Sequence, residues 1–175
     1  QGEIKTAKDK KLHRYVALKS LKKDFLSNQS IVNNFIMEAR ITAQLDHPSI
    51  IPMYGIIREQ NSYVHMAMKL VQGMTLQEII DDHILECKKS RGKALFDFEQ
   101  KALSERLSYF IKICEAISYA HDRRVIHRDL KPENVMVGSF REVYLMDWGI
   151  AKIMTEEQES QQAIPQESSK KILKT

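Results

Sequence analysis

The sequence predicts an α+β fold in two parts, a small β-rich portion with one helix over residues 1–72 and a mostly helical portion over residues 73–175. Three stretches carry the prediction. Between 63 and 70, Val64, Met66, Met68 and Leu70 alternate with Tyr63, His65, Ala67 and Lys69, the twofold period of a strand. Between 30 and 45, Ile31, Phe35, Glu38, Thr42 and Leu45 recur at steps of four and three residues, the period of a helix. Between 104 and 121, Leu107, Phe110, Ile111, Cys114, Ile117 and His121 recur at helical spacing and define an expected buried face.

Bulk properties narrow the class. With 43% hydrophobic and 29% charged residues, 175 residues can bury a core in one domain or two small lobes. A formal net charge of +4 is too mild to imply nucleic-acid binding. Cys87 and Cys114 are the only cysteines, so no disulfide framework exists, and a reducing, cytoplasmic setting is expected. No run has the length of a membrane-spanning helix, and no signal peptide is visible. The first residue is Gln1 rather than Met, which fits a processed chain or a fragment.

Taken in order, residues 3–8 and 13–21 read as two strands around a turn at Asp9-Lys10-Lys11. In the second, Tyr15, Ala17 and Lys19 share one face, and Val16 and Leu18 share the other. Taken alone, Lys19 reads as a lysine near a strand end, facing solvent. Ser30 is the expected N-cap of the next helix, worth about 1 kcal/mol. Glu38 falls within that helix's apolar stripe, and an inward carboxylate needs a partner because an unpaired buried charge is costly. Lys19 is the candidate partner; the alternative puts Glu38 at the stripe's edge, in water.

Asp46-His47-Pro48 stops the helix. Residues 53–59 and 63–70 then form an expected hairpin around Gln60-Asn61-Ser62, its methionine-rich side facing the core. Thr75-Leu76-Gln77-Glu78 fits a capping box at a short helix containing Leu76, Ile79 and Ile80. Residues 86–101 are charged and poorly periodic, so an irregular or partly helical insert is expected. Cys114, on the expected buried face of the long helix, reads as a core residue.

Residues 126–134 read I-H-R-D-L-K-P-E-N. Pro132 has no N–H and biases Lys131 away from helix, so a loop is expected between Val125-Ile126 and a short strand at 135–137. Within it Asp129 is a candidate base, Lys131 a fixed cation and Asn134 a neutral metal ligand. That set suits transfer of a charged phosphoryl group, where positioning and charge stabilisation do most of the work. The plainer reading is a polar loop whose charges pair locally. Strands at 135–137 and 143–145 make a small hairpin, and Asp147-Trp148-Gly149 follows it. His121 and His127 lack a cluster of metal-ligating partners and read as structural. Residues 154–175 carry few apolar side chains and are expected to be mobile.

The loop at 126–134 is the catalytic-loop signature of eukaryotic-type protein kinases, and the chain resembles that family from Gly2 to about Lys152. Val16-Ala17-Leu18-Lys19 resembles the V-A-I-K strand, and Glu38 matches the glutamate of helix C. Asp147-Trp148-Gly149 resembles D-F-G with Trp in place of Phe, and Gly2-Glu3-Ile4 resembles the end of the glycine-rich loop. The chain looks most like bacterial relatives of the Ser/Thr kinases, for which a Met-Lys-Leu-Val hinge and a D-W-G variant are familiar. Lys131, two residues after Asp129, resembles the Ser/Thr-specific loop.

The resemblance implies a bilobal, protein kinase-like fold, with an N-lobe at 1–72 and an incomplete C-lobe at 73–175. It implies ATP and Mg2+ as cofactors. Lys19, held by Glu38, would contact the α- and β-phosphates, while Ile4, Ala17 and Met136 would contact the nucleotide. Met68 takes the gatekeeper position, and Lys69, Leu70 and Val71 form the hinge whose backbone meets adenine. Asp147 and Asn134 would hold Mg2+, Asp129 would accept the proton of a substrate hydroxyl, and Lys131 would neutralise the γ-phosphate. His127 packs beneath the site. Arg128 would meet a phosphate on the activation segment, with Thr155, Ser160, Ser168, Ser169 and Thr175 as candidate acceptors.

The implied function is ATP-dependent transfer to Ser/Thr hydroxyls of a protein substrate, with no nucleic-acid partner and no membrane segment. The alternatives are a pseudokinase-like nucleotide-binding or scaffold module, and a small-molecule phosphotransferase of the same fold. The two earlier glycines of the glycine-rich loop, and the A-P-E motif with its following helices, lie outside the sequence. The sequence by itself is therefore expected to be a poor enzyme and to aggregate.

Overall fold

The computed structural model describes residues 2–58, 64–89 and 91–154. Its N-terminal part is a four-stranded antiparallel sheet crossed by one helix. The strands are β1 (Gly2–Asp9), β2 (Arg14–Leu21), β3 (Met53–Arg58) and β4 (Val64–Lys69), in the order β1-β2-β4-β3. Asp9 Oδ1 accepts from the backbone N–H groups of Lys11 and Leu12 at 3.1 and 3.2 Å, which closes the first turn. Register places Ala17 opposite Met68 and Lys19 opposite Met66. Met66 and Met68 are buried, as their alternation demanded. The expected turn at Gln60-Asn61-Ser62 lies outside the described residues.

Helix α1 (Gln29–Ala43) buries Phe35, Glu38 and Thr42, and Leu45 just past its end. Its cap is Asn28 rather than the expected Ser30. Asn28 holds an extended backbone, and its side chain accepts from the N–H groups of Ser30 and Ile31 at 3.1 and 3.3 Å. Ser30 lies inside the first turn and is itself one of the residues capped. Both are good capping types, and only the point where the chain enters the helix chooses between them.

The remainder holds β5 (Gly73–Thr75), α2 (Leu76–Lys89), α3 (Gly92–Asp122), β6 (Val125–Ile126), β7 (Val135–Gly138), β8 (Val143–Leu145) and β9 (Lys152–Ile153). These strands form a three-stranded sheet, β5-β7-β8, and a two-stranded pair, β6-β9. The capping box forms as expected: Thr75 N–H donates to Glu78 Oε2 at 2.7 Å, and Glu78 N–H donates to Thr75 Oγ1 at 3.1 Å. At Gly73 an added Cβ would lie 2.0 Å from the Val137 carbonyl oxygen, so only glycine allows this close strand approach.

Two expectations about this part fail. Of the two readings of 86–101 the helical one holds, since α2 runs through Lys89, but α3 starts at Gly92 instead of Ser104. Good helix formers carry both helices through this stretch. The buried face of α3 is also different. Leu107, Phe110, Ile111, Cys114 and His121 are exposed, whereas Ala102, Tyr109, Ala116 and Ala120 are buried. The helix carries two candidate stripes. The structure buries the one rich in alanine, because small side chains let the strands of this part pack closely against the helix. Ile113 and Ile117 flank that seam.

Two apolar clusters result. One joins Ile41, Leu45 and Ile50 to α3, β7, β8 and Trp148. The other joins Ala17, Phe35, Met66 and Met68 to Tyr144, which comes from β8. Ile51 N–H donates to the Leu145 carbonyl at 3.1 Å, and Leu145 N–H to the Ser49 carbonyl at 2.8 Å. The strand leading to Asp147 is thereby stitched to the segment leading into β3. No helix among the described residues is long and apolar enough to cross a membrane.

Candidate active site

Residues 126–134 leave β6 as a loop and close in a single 3-10 turn, Pro132–Asn134. Lys131 before Pro132 is extended, at φ −156° and ψ 157°, as a residue preceding proline should be. Arg128 adopts φ +66°, a left-handed backbone that costs energy in a non-glycine residue. Its side chain holds the turn in place, with Nε donating to the Ile150 carbonyl at 2.7 Å.

His127 is 1% exposed and sits beneath the loop. Its Nε2 lies 2.9 Å from the Met146 carbonyl, and its Nδ1 lies 3.3 Å from the Asp129 N–H. One ring nitrogen thus donates and the other accepts, which is the neutral tautomer. Burial pushes its pKa below the usual histidine value in agreement with that. Its ring packs 4.5 Å from the indole of Trp148, centre to centre. His127 therefore positions Asp129 through the backbone.

Asn134 is buried and holds Asp129 directly. Its Nδ2 donates to the Asp129 carbonyl at 2.8 Å and to Asp129 Oδ2 at 3.0 Å. Lys131 Nζ lies 2.9 Å from the same carboxylate oxygen. These hydrogen bonds, that of Lys131 first, hold the Asp129 pKa below its usual value, so the group is a carboxylate at neutral pH. The Asn134 carbonyl in turn accepts from the Met146 N–H at 2.9 Å, which fixes the loop to the residue before Asp147.

Lys19 joins the other side of the site. Its Nζ lies 2.6 Å from Glu38 Oε1 and 3.3 Å from Asp147 Oδ1. The side chains of Lys19 and Glu38 are 17% and 10% exposed, so this is a mostly buried pair, and the edge-of-stripe alternative for Glu38 does not hold. Burial disfavours the lysine's charge, but two carboxylates outweigh it and raise its pKa. Glu38 is pushed up as well, by burial first and by the neighbouring Asp147, against the pull of Lys19. Two carboxylates around one cation account for the lysine's direction, and burial accounts for the glutamate's. Asp147 has φ +61°, and the following Gly149 leaves room for it: a Cβ there would sit 3.2 Å from both Asp147 Oδ1 and Glu38 Oε2.

A cavity of about 460 Å³ opens among these groups, and Ile4, Lys19, Glu38, Asp129 and Asp147 all line it. Residues from β1, β2, α1, the 126–134 loop and the segment after β8 thus meet at one place. Ala17, Met68, Val71 and Met136 pack together in the adjacent apolar cluster. Lys69 sits at the end of β4, and its side chain turns to the hydroxyl of Tyr144. The sequence reading singled out neither Tyr144 nor the spacing role of Gly149. The signal for the glycine was its place directly after Asp147-Trp148.

The donor set suits a hard divalent cation. Asp147 offers carboxylate oxygens, and Asn134, whose amide nitrogen is committed to Asp129, offers Oδ1. Among the described residues no group of three or more His, Cys, Asp or Glu is arranged to hold a metal. Two oxygen ligands are what a cation such as Mg2+ needs when phosphate oxygens and water complete its shell. The candidate phosphate acceptors at 155–175 lie outside the described residues.

Comparison with known proteins agrees with this geometry. The family model described as protein kinase domain matches residues 1–168. A serine/threonine-protein kinase PknD from Protochlamydia amoebophila (strain UWE25) is 39% identical over 160 residues, 91% of this chain and 16% of that protein. PknD from Chlamydia pneumoniae is 38% identical over 158 residues, covering 90% of this chain and 16% of the relative. The chain therefore spans about a sixth of the length of the curated relatives it matches.

Proposed function

Because the chain belongs to the protein kinase domain family, we propose that the protein is an ATP-dependent Ser/Thr kinase that phosphorylates protein hydroxyls. The observation that supports this best is that Lys19, Glu38, Asp129 and Asp147, four distant residues of the sequence, line one cavity. In this reading the triphosphate lies along Lys19. The base lies against Ala17, Met68, Val71 and Met136 under Ile4, with the backbone of Lys69 and Val71 at its edge. Asp147 and Asn134 would hold Mg2+, which would supply charge neutralisation at the phosphate oxygens.

Asp129 orients the substrate hydroxyl and takes its proton as that oxygen bonds to the γ-phosphorus, while the bond from this phosphorus to the β-phosphate oxygen breaks and ADP leaves. Its lowered pKa makes it a weak base but keeps it ionised. Its main contribution is therefore alignment, with proton acceptance late in the transfer. Lys131, 2.9 Å away, supplies a cation where the γ-phosphate would arrive. Lys131 at this position favours Ser and Thr over Tyr as acceptors. We place the protein in the cytoplasm, with no nucleic-acid partner.

The test is Asp129→Asn in the full-length protein, assayed with Mg2+, ATP and a generic Ser/Thr substrate. Transfer should fall by about 10²–10⁴-fold while nucleotide affinity stays within about twofold. Normal turnover in the variant would refute the assignment. Nucleotide binding without transfer by the wild type would favour a pseudokinase-like scaffold.

A further inference from the structure

One partly buried side-chain contact, beside the apolar cluster of Ala17, Met68 and Met136, has no part in the proposed chemistry. Lys69 ends β4 at the point where the chain leaves the four-stranded sheet. Its backbone N–H is already used, donating to the Pro52 carbonyl at 3.0 Å. Its ammonium Nζ donates to the Tyr144 hydroxyl and lies 4.6 Å from the centre of that ring. Tyr144 belongs to β8 of the other sheet and is 6% exposed. The contact thus bridges the two sheets beside the chain's crossing point.

Tyr144 also occupies a particular place. It packs in one cluster with Ala17, Met68 and Met136, the side chains expected to flank the base. It precedes Asp147 by three residues on the strand held by the Ser49 and Ile51 backbone. A shift of Tyr144 therefore moves the floor of the base site, while a shift of Lys69 moves the hinge, and Asp147 stays held through the backbone of the strand. A hydrogen bond from a charged donor to a buried hydroxyl is among the stronger side-chain contacts, and a buried hydroxyl left unpaired is penalised.

We propose that Lys69 and Tyr144 form a latch between the two lobes that sets hinge position, and through it nucleotide affinity, without touching the transfer step. This rests on the kinase reading. Both are positioning residues, acting through the hinge backbone and the base-site floor.

The experiment uses the full-length protein with Tyr144→Phe, Lys69→Met and the double variant. Tyr144→Phe removes one hydroxyl and keeps the ring, and Lys69→Met removes the charge on a half-buried side chain. Binding of a fluorescent ADP analogue with Mg2+ should weaken about fivefold in each single variant. The double variant should be no weaker than either single, because both break the same contact. In Tyr144→Phe the KM for ATP should rise about fivefold, with kcat at saturating ATP within about twofold of wild type. Unchanged binding in both singles, additive losses in the double, or a kcat loss at unchanged KM would overturn the latch. If Tyr144→Phe fails to fold, Lys69→Met binding decides alone. A wild type that binds no nucleotide overturns the kinase reading itself, whereas normal wild-type binding with unaffected variants overturns only the latch.

Discussion

Replacing Lys19 by Met tests the charge arrangement of the site most directly. Lys19 lies between two carboxylates, 2.6 Å from Glu38 and 3.3 Å from Asp147. The variant leaves Glu38, 10% exposed, without its cation and with Asp147 beside it. Breaking a buried pair from one side typically costs about 3–5 kcal/mol. Protonation limits the loss here. Burial already raises the Glu38 pKa above 4.5, and Lys19 is what opposes that rise. Without Lys19 the folded-state pKa climbs further, and each unit of climb is worth about 1.4 kcal/mol.

The sign follows from linkage. A carboxyl with a raised folded pKa contributes stability that is fully present below its unfolded value and lost as pH rises through the folded one. The deficit of Lys19→Met relative to wild type should therefore be about 1 kcal/mol near pH 4.5 and about 3 kcal/mol at pH 7.5. Denaturant titrations of the complete kinase domain at the two pH values measure it. A deficit that is independent of pH, or shrinks as pH rises, would refute the shared-cation account. Glu38→Gln should cost less than Lys19→Met at pH 7.5, because Lys19 keeps Asp147 as a partner.

Two further substitutions test local structure by the same titrations. Asn28→Ala should cost about 1 kcal/mol, and Ser30→Ala should stay within about 0.5 kcal/mol, since Asn28 supplies the cap of α1. The reverse order would put the cap at Ser30. Gly73→Ala should cost about 3 kcal/mol, because the added methyl meets the Val137 carbonyl and β5 must part from β7 to admit it. A neutral Gly73→Ala would show that the strand edge yields freely.

Legibility varied with how local each feature is. The alternation of Met66 and Met68, the Glu38 stripe and the capping box of Thr75 and Glu78 are written in neighbouring residues, and all three appear in the structure. The α3 face was misread, because two apolar stripes satisfy one period and only the partner surface chooses between them. The same limit hid the Asn28 cap, since capping types stand two residues apart and the chain's entry angle selects one. Residues 86–101 left an irregular and a partly helical reading open, because a mostly solvated, charged stretch marks no helix start, and α3 begins at Gly92 rather than Ser104.

By itself the sequence determined the residue types of the site and their order: Lys19, Glu38, the 126–134 loop and Asp147 are all present as matched motifs. Local rules also determined that the loop is a loop, through Pro132 and the extended Lys131. Only the tertiary structure decided that Lys19 bridges two carboxylates, that the His127 ring is fixed by the Met146 carbonyl, and that Lys69 reaches Tyr144. These are contacts between residues far apart in the chain. Their energies depend on distance and burial, quantities that exist only once the sheets and helices have packed.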